Sequence, residues 1–205
     1  MFGGGGGDRV RFNDTLVLEL PALSEEDKLA SDPASSFKIR RNSQFGSQSR
    51  VTKVNLFEVQ GSLIPEPRTY HASCLLNEFM IVSAGEVNGQ DSQDLWALNL
   101  ETGFWYKVAI DSPSRFERKR FHTISAFSNN RIVSFGGCHD NYLHLNEVVI
   151  FYMDNFIKNQ GEIRVEKINT CPETPSTRWG HAAAVFEDQL YICGGRSEID
   201  ISDLH

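Results

Sequence analysis

Three times along this chain a basic residue, two further residues and a histidine precede an alternating apolar run that closes on a glycine doublet or its remnant. The instances are Arg68-Thr-Tyr-His71 to Ala84-Gly85, Lys119-Arg-Phe-His122 to Gly136-Gly137, and Arg178-Trp-Gly-His181 to Gly194-Gly195. Histidines at 71, 122 and 181 recur at intervals of 51 and 59 residues, a period that calls for stacked supersecondary units rather than one irregular domain. A unit of that size buries its apolar face only against a neighbour, so the repeat dictates the architecture.

The first complete unit reads as four short antiparallel strands. Tyr70 to Leu76 and Phe79 to Gly85 are apolar runs of strand length. They are joined by Asn77-Glu78, an asparagine-containing two-residue link that favours a tight hairpin. A polar loop, Glu86 to Gln93, leads into Asp94 to Leu100, where Leu95, Ala97 and Asn99 face one way and Trp96, Leu98 and Leu100 the other. Glu101-Thr-Gly103 then turns the chain into Trp105 to Ile110. Four strands in about 40 residues is the size of one propeller blade. The second unit repeats the order with Phe121 to Phe127, Arg131 to Gly137, Glu147 to Met153 and Ile163 to Ile168, its third turn lengthened to Asp154 to Glu162. Each doublet falls where a strand must swing into a loop, which requires positive φ or a close backbone approach. Ala84 shows that one doublet position tolerates a Cβ.

Both ends of the chain fall inside a unit. Met1 to Gly4 reads as the tail of a second strand, with Asn13 to Leu20 as a third and Lys53 to Val59 as a fourth. Gly180 to Gly195 supplies two strands, and Asp203-Leu204 begins another. The expectation is an all-β, incomplete propeller over residues 1–205: two full four-stranded blades and two partial ones. Such a chain reads as a fragment or truncated product whose open sheet edges invite self-association. Residues 21–50 form a flexible insertion within the first partial blade, with the serine-rich run Ser43 to Ser49 having little to bury. Inside it, Arg40-Arg41-Asn42-Ser43 matches the Arg-Arg-x-Ser pattern of basophilic kinase sites, which makes Ser43 a candidate phosphosite.

The repeat resembles the kelch motif of β-propellers. The hallmarks are a double glycine after the second strand, a small polar pair opening the third and a tryptophan opening the fourth. They are carried here by Gly136-Gly137 and Gly194-Gly195, by Asn13-Asp14, Asp94 and Asn146-Glu147, and by Trp105. His71, His122 and His181 are similar to kelch positions as well. Val165 stands near where a tryptophan is usual, and Phe57 substitutes in the first unit. The resemblance covers most of the chain outside Pro21 to Arg50. It implies a non-catalytic scaffold that binds protein partners through inter-strand loops. The alternative it leaves open is an accessory propeller of a larger enzyme, since kelch domains are often appended to other modules.

Charge and composition narrow the classes of partner. A net charge of −7 and a pI near 5.4 argue against nucleic-acid binding, which calls for a basic face, and give no pull toward anionic membranes. No stretch approaches the roughly 18 apolar residues of a spanning helix, and the first residues lack the charged and apolar regions of a secretory signal. The four cysteines show no dense disulfide spacing, so reduced thiols and a cytoplasmic location are the expectation.

Cys138-His139-Asp140-Asn141-Tyr142-Leu143-His144 contains metal-ligand side chains, but no second paired motif supports them, and the expectation is no metal and no cofactor. The Glu-x-x-x-Asp-x-x-x-His spacing of iron-using kelch specifier proteins is absent, and the copper ligands of galactose oxidase, which shares a kelch-type propeller, cannot be assigned. No Gly-x-Ser-x-Gly elbow or phosphate-binding glycine loop occurs, so no catalytic residue is expected. The three repeated histidines belong to packing, and Arg68, Lys119 and Arg178 to closing each blade's opening loop through carbonyls or carboxylates. What remains is the set of loops after the doublets. They nominate Glu86, Asn88 and Gln90 in one blade, His139, Asp140 and Tyr142 in the next, and Arg196 and Glu198 in the last as partner-binding residues. Tyr142 and Arg196 are the expected anchors, since aromatic and arginine side chains dominate interfaces.

Overall fold

The computed structural model describes residues 2–5, 11–18, 54–56, 58–139, 143–169 and 174–197. The insertion at 21–50 with Ser43, and the loop residues Asp140, Tyr142 and Glu198, lie outside that set. The first sheet comprises β1 (Phe2–Gly5), β2 (Arg11–Leu18) and β3 (Val54–Leu56) in that order. A small pairing strand, β4 (Arg68–Thr69), precedes the first full blade, built from β5 (Ala72–Leu76), β6 (Phe79–Ser83), β9 (Leu95–Asn99) and β10 (Trp105–Lys107). Between β6 and β9 the chain adds β7 (Glu86–Val87) and β8 (Gln90–Asp91), so part of the expected polar loop is itself a hairpin laid against β4.

The second full blade repeats the ladder with β11 (Thr123–Phe127), β12 (Arg131–Phe135), β15 (Val148–Tyr152) and β16 (Arg164–Ile168), with β13 (Cys138–His139) and β14 (Leu143–His144) paired in its loop. A last hairpin, β17 (Ala182–Phe186) and β18 (Gln189–Cys193), opens a further blade. Register makes the units equivalent: Ser83 pairs Leu95 in one blade and Phe135 pairs Val148 in the next. The all-β, kelch-type propeller arrangement expected from the repeat is the fold observed. The strands are shorter than the apolar runs because the residues flanking each doublet leave the ladder to meet the neighbouring blade.

Alternation along β9 divides the core. Leu95 and Ala97 are fully buried in a cluster with Ile81, Ile132, Val149 and Phe151, between the two full blades. Trp96 and Leu98 face the opposite side, with Val82 and Trp105. The period-2 reading therefore places every second residue in a different seam. One element was not foreseen. The long third turn of the second blade contains α1 (Asp154–Asn159), whose Phe156 is buried edge-on against Phe79 at 5.3 Å and Tyr106 at 6.0 Å. The helix thus plugs the outer end of the seam with an aromatic cluster.

Main-chain hydrogen bonds stitch the blades together near their innermost strands. Phe121 N–H donates to the Tyr70 carbonyl at 3.0 Å, and Gly180 N–H donates to the Phe121 carbonyl at 3.0 Å. Gly85 N–H donates to the Lys119 carbonyl and Gly137 N–H to the Arg178 carbonyl, both at 2.9 Å.

Candidate functional site

Each blade's loop end is fastened by the basic residue three positions before its histidine. Arg68, fully buried, grips both Asp94 oxygens at 2.7 and 2.9 Å and donates to the Ala84 carbonyl at 2.9 Å. Burial works to raise the Asp94 carboxyl, but the Arg68 guanidinium, with Ser92 and Trp96, outweighs it and holds the group below the usual carboxylate range. Lys119 plays the same part with Glu147, the register equivalent of Asp94. Arg178 donates to the Gly194 carbonyl at 3.1 Å, as Arg68 does to that of Ala84. These cations anchor loops, as the sequence reading expected.

The second residue of each doublet explains why glycine stands there. Gly85 has φ of +90°, and a Cβ would lie 2.7 Å from the Thr69 carbonyl oxygen and 2.8 Å from the His71 nitrogen. Gly137, at φ +97°, would meet the Arg120 carbonyl oxygen and the His122 Cβ at 2.8 Å. The opening loop of each blade lies directly on that glycine, and the next residue is captured by a short pairing. Thr69 pairs with Glu86, Arg120 with Cys138, and Trp179 with Arg196. All three loops therefore leave the same side of the blades, opposite the Asn77, Asn129-Asn130 and Glu187-Asp188 hairpin turns.

The histidines sit inside the seams. His122 Nε2 lies 3.1 Å from Ser83 Oγ, and His181 Nε2 lies 2.9 Å from Thr123 Oγ1, each contact crossing to the preceding blade. Burial, reinforced by Lys119, pushes His122 well below its ordinary value, and burial with Arg178 brings His181 down to about 4. Both are neutral hydrogen-bonding wedges near neutral pH. Among the described residues no group of three His, Cys, Asp or Glu side chains could hold a metal, and Cys74, Cys138 and Cys193 are free thiols. Desolvation pushes the Cys74 thiol up to about 12, against an opposing backbone contact from Ala126.

Of the loop residues nominated from sequence, Asn88, Gln90 and His139 line one groove. Asn88 and Gln90 line a depression of about 560 Å³ shared with Gln93, Lys107, Pro113 and Arg118. It continues through Gln93, Pro113 and Arg118 into a second cleft of about 310 Å³ that reaches Glu117 and His139. His139 Nε2 lies 3.9 Å from Glu117, which Lys167 bridges to Glu147 with contacts of 3.1 and 2.8 Å. Asn88 also has a local role: with Gly89 it makes the turn of the β7–β8 hairpin, at φ +50° and +81°. Glu86 stands on the other side of that hairpin, where Arg120 bridges it at 2.7 Å and Asp91 at 3.4 Å. Arg196 is exposed, its guanidinium 5.9 Å from the Trp179 ring.

A row of aromatic side chains borders these loops and was not nominated from sequence. Tyr70 and Phe121 stack at 4.2 Å, Phe121 and Trp179 at 4.9 Å, and Trp179 Nε1 donates to His144 at 3.1 Å. Tyr70 is 50 % exposed. The signal lay in the two positions between each basic residue and its histidine, read only as spacing.

Comparison with known proteins agrees with this geometry. A profile of the KLHDC2/KLHL20/DRC7 Kelch-repeats domain matches residues 1–195. The chain belongs to the kelch-repeat family. Tip elongation aberrant protein 1 of Schizosaccharomyces pombe is 37 % identical over 135 residues, covering 64 % of this chain and 11 % of that protein. Kelch domain-containing protein 1 of Mus musculus is 27 % identical over 142 residues, covering 69 % of this chain and 33 % of that protein. An F-box/kelch-repeat protein of Arabidopsis thaliana, At1g51550, is 30 % identical over 139 residues, covering 64 % of this chain and 29 % of that protein. The kelch chain described here thus spans a third or less of the length of these relatives. Among its described residues, no helix is long and apolar enough to cross a membrane.

Proposed function

We propose that this kelch domain is a non-catalytic protein-interaction module that seats a polypeptide partner on the loop face, with the cytoplasm as its location. The observation that carries the reading is the common launch point of the loops after the doublets. Identical backbone pairings at Glu86, Cys138 and Arg196 aim them to one side, while their residues and lengths differ from blade to blade. A rigid, repeated frame with variable loops is how a scaffold carries specificity. The groove supports it: Asn88, Gln90 and Gln93 present amides that both donate and accept, the chemistry that matches a polypeptide backbone. Glu86, Asn88, Gln90, His139 and Arg196 are its partner-binding residues, joined by Asp140, Tyr142 and Glu198 on sequence grounds. The greater length of the relatives favours a module working within a larger protein, which is also the setting in which an appended enzyme would use it.

The test is site-specific photo-crosslinking in the full chain, with the photoreactive residue placed at Gln90 or His139 on the loop face, or at Asp188 on the opposite face. Crosslinks to the same polypeptide from the first two sites and none from Asp188 are expected. Equal yield from both faces, or none from the loops, would refute the assignment.

A further inference from the structure

The aromatic row has an energetic peculiarity. Tyr70 and Phe121 occupy the residue before the histidine with φ of +58° and +57°, a region that side-chain-bearing residues avoid at a cost of about 1–2 kcal/mol. The third repeat fills that position with Gly180, at φ +65°, and moves its ring one residue earlier, to Trp179. The backbone geometry is needed for the seam hydrogen bonds, but the rings are not, as Gly180 shows. Two blades nevertheless keep a strained aromatic residue, and Tyr70 does not recover the cost by burial, since half of it remains exposed. Strain held in place for a return limited to the ring contacts along the row, with half of Tyr70 left open, marks a binding surface.

The ends of the row differ in charge. Glu86 is register-paired with Thr69, next to Tyr70, and with Asp91 forms two carboxylates that share the Arg120 guanidinium. At the other end Arg196 lies over Trp179. The repeat-equivalent positions Glu86, Cys138 and Arg196 therefore run from acidic through neutral to basic across three blades.

The geometry points to this row as the docking strip for an extended peptide with a basic residue at one end, an apolar residue at its centre and an acidic residue at the other end. The basic side chain stacks on Tyr70 beside Glu86, the apolar one covers Phe121, and the acidic one meets Arg196. In an extended chain rising about 3.3 Å per residue, alternate side chains share a face, so positions one, three and five make these contacts. This deepens the interaction-module reading and rests on it.

The probes are three peptides capped at both ends: Arg-Ser-Leu-Ser-Asp, Asp-Ser-Leu-Ser-Asp and Arg-Ser-Leu-Ser-Arg, titrated calorimetrically into the full chain. The dipolar peptide is expected to bind at least tenfold tighter than either of the others. Tyr70→Gly copies the third repeat, so it should leave the melting temperature at or above that of the parent while weakening the dipolar peptide about fivefold, the value of one lost stacked cation contact. Arg196→Glu should transfer the preference to the doubly basic peptide. Equal affinity for the three peptides, no binding of any, an unaffected Tyr70→Gly variant or an unchanged preference in Arg196→Glu would each overturn the strip. If Gln90 crosslinking survives that result, the interaction module stands without the strip. If crosslinking fails as well, both readings fall.

Discussion

Alanine at Gly85 is the most direct test of how a blade's opening loop is seated. The substitution adds one methyl group at φ +90°, which is unfavourable for an L-residue by about 1–2 kcal/mol. The new Cβ also meets the Thr69 carbonyl oxygen at 2.7 Å and the His71 nitrogen and Cα at 2.8 and 2.9 Å. All are backbone atoms with no rotamer in which to retreat, so the opening loop must move, at a further cost of about 1–3 kcal/mol. Reduced freedom of the unfolded chain returns about 0.4–1 kcal/mol. The expected net loss is about 2–4 kcal/mol, or roughly a 10 °C fall in melting temperature for a chain of this size. Ala84→Gly is the matched control. It relaxes a residue at φ +51° and removes a buried methyl group worth about 0.8 kcal/mol, so its net effect stays within about 1 kcal/mol. Thermal and urea melts of both variants followed by circular dichroism decide the matter. A Gly85→Ala protein melting within about 2 °C of the parent, or an Ala84→Gly protein losing as much, would refute the claim that the second glycine seats the opening loop.

Three further outcomes are expected. His122 and His181 have values lower in the folded state than in the unfolded chain, which therefore binds more protons; stability falls as pH drops from about 6.5 toward about 4, and His181→Gln should flatten that slope in pH-dependent urea melts. Arg68→Met strands the Asp94 carboxylate and should cost about 3–5 kcal/mol, whereas Arg68→Met with Asp94→Leu should recover much of the loss, giving a large coupling in a double-mutant cycle. Phe156→Ala empties the pocket against Phe79 and Tyr106 and should destabilise by about 3–5 kcal/mol in chemical denaturation, while a chain that tolerates it would show that α1 is only an ornament on the loop.

The blade order was legible because each strand announces itself through period-2 alternation and each loop through its glycine doublet. The facing of Leu95 and Ala97 against Trp96 and Leu98 follows from that alternation alone. The roles of Arg68 and Lys119 were also readable, since a cation fixed at one place in every unit must meet something equally repetitive, here Asp94 and Glu147. Other features were not. Asp154 to Glu162 looks like a polar connection, and its helix forms because Phe156 finds a pocket on another blade, a tertiary gain that local sequence does not display. Tyr70, Phe121 and Trp179 are separated by 51 and 58 residues, and the shift from Phe121 to Trp179 breaks strict repetition. Only the backbone bonds across the seams bring the rings within 5 Å of one another. Asn88 was nominated for recognition, yet its most evident signal, the following Gly89, belongs to turn geometry.

The hydrogen bonds from Phe121 to Tyr70 and from Gly180 to Phe121 join carbonyl and amide groups that every residue except proline can supply. Angular pitch from blade to blade is thereby set by the peptide chain itself, whatever side chains decorate the rim. A duplicated or exchanged unit would inherit that pitch at once, and its loops could diverge afterwards without disturbing how successive blades are set.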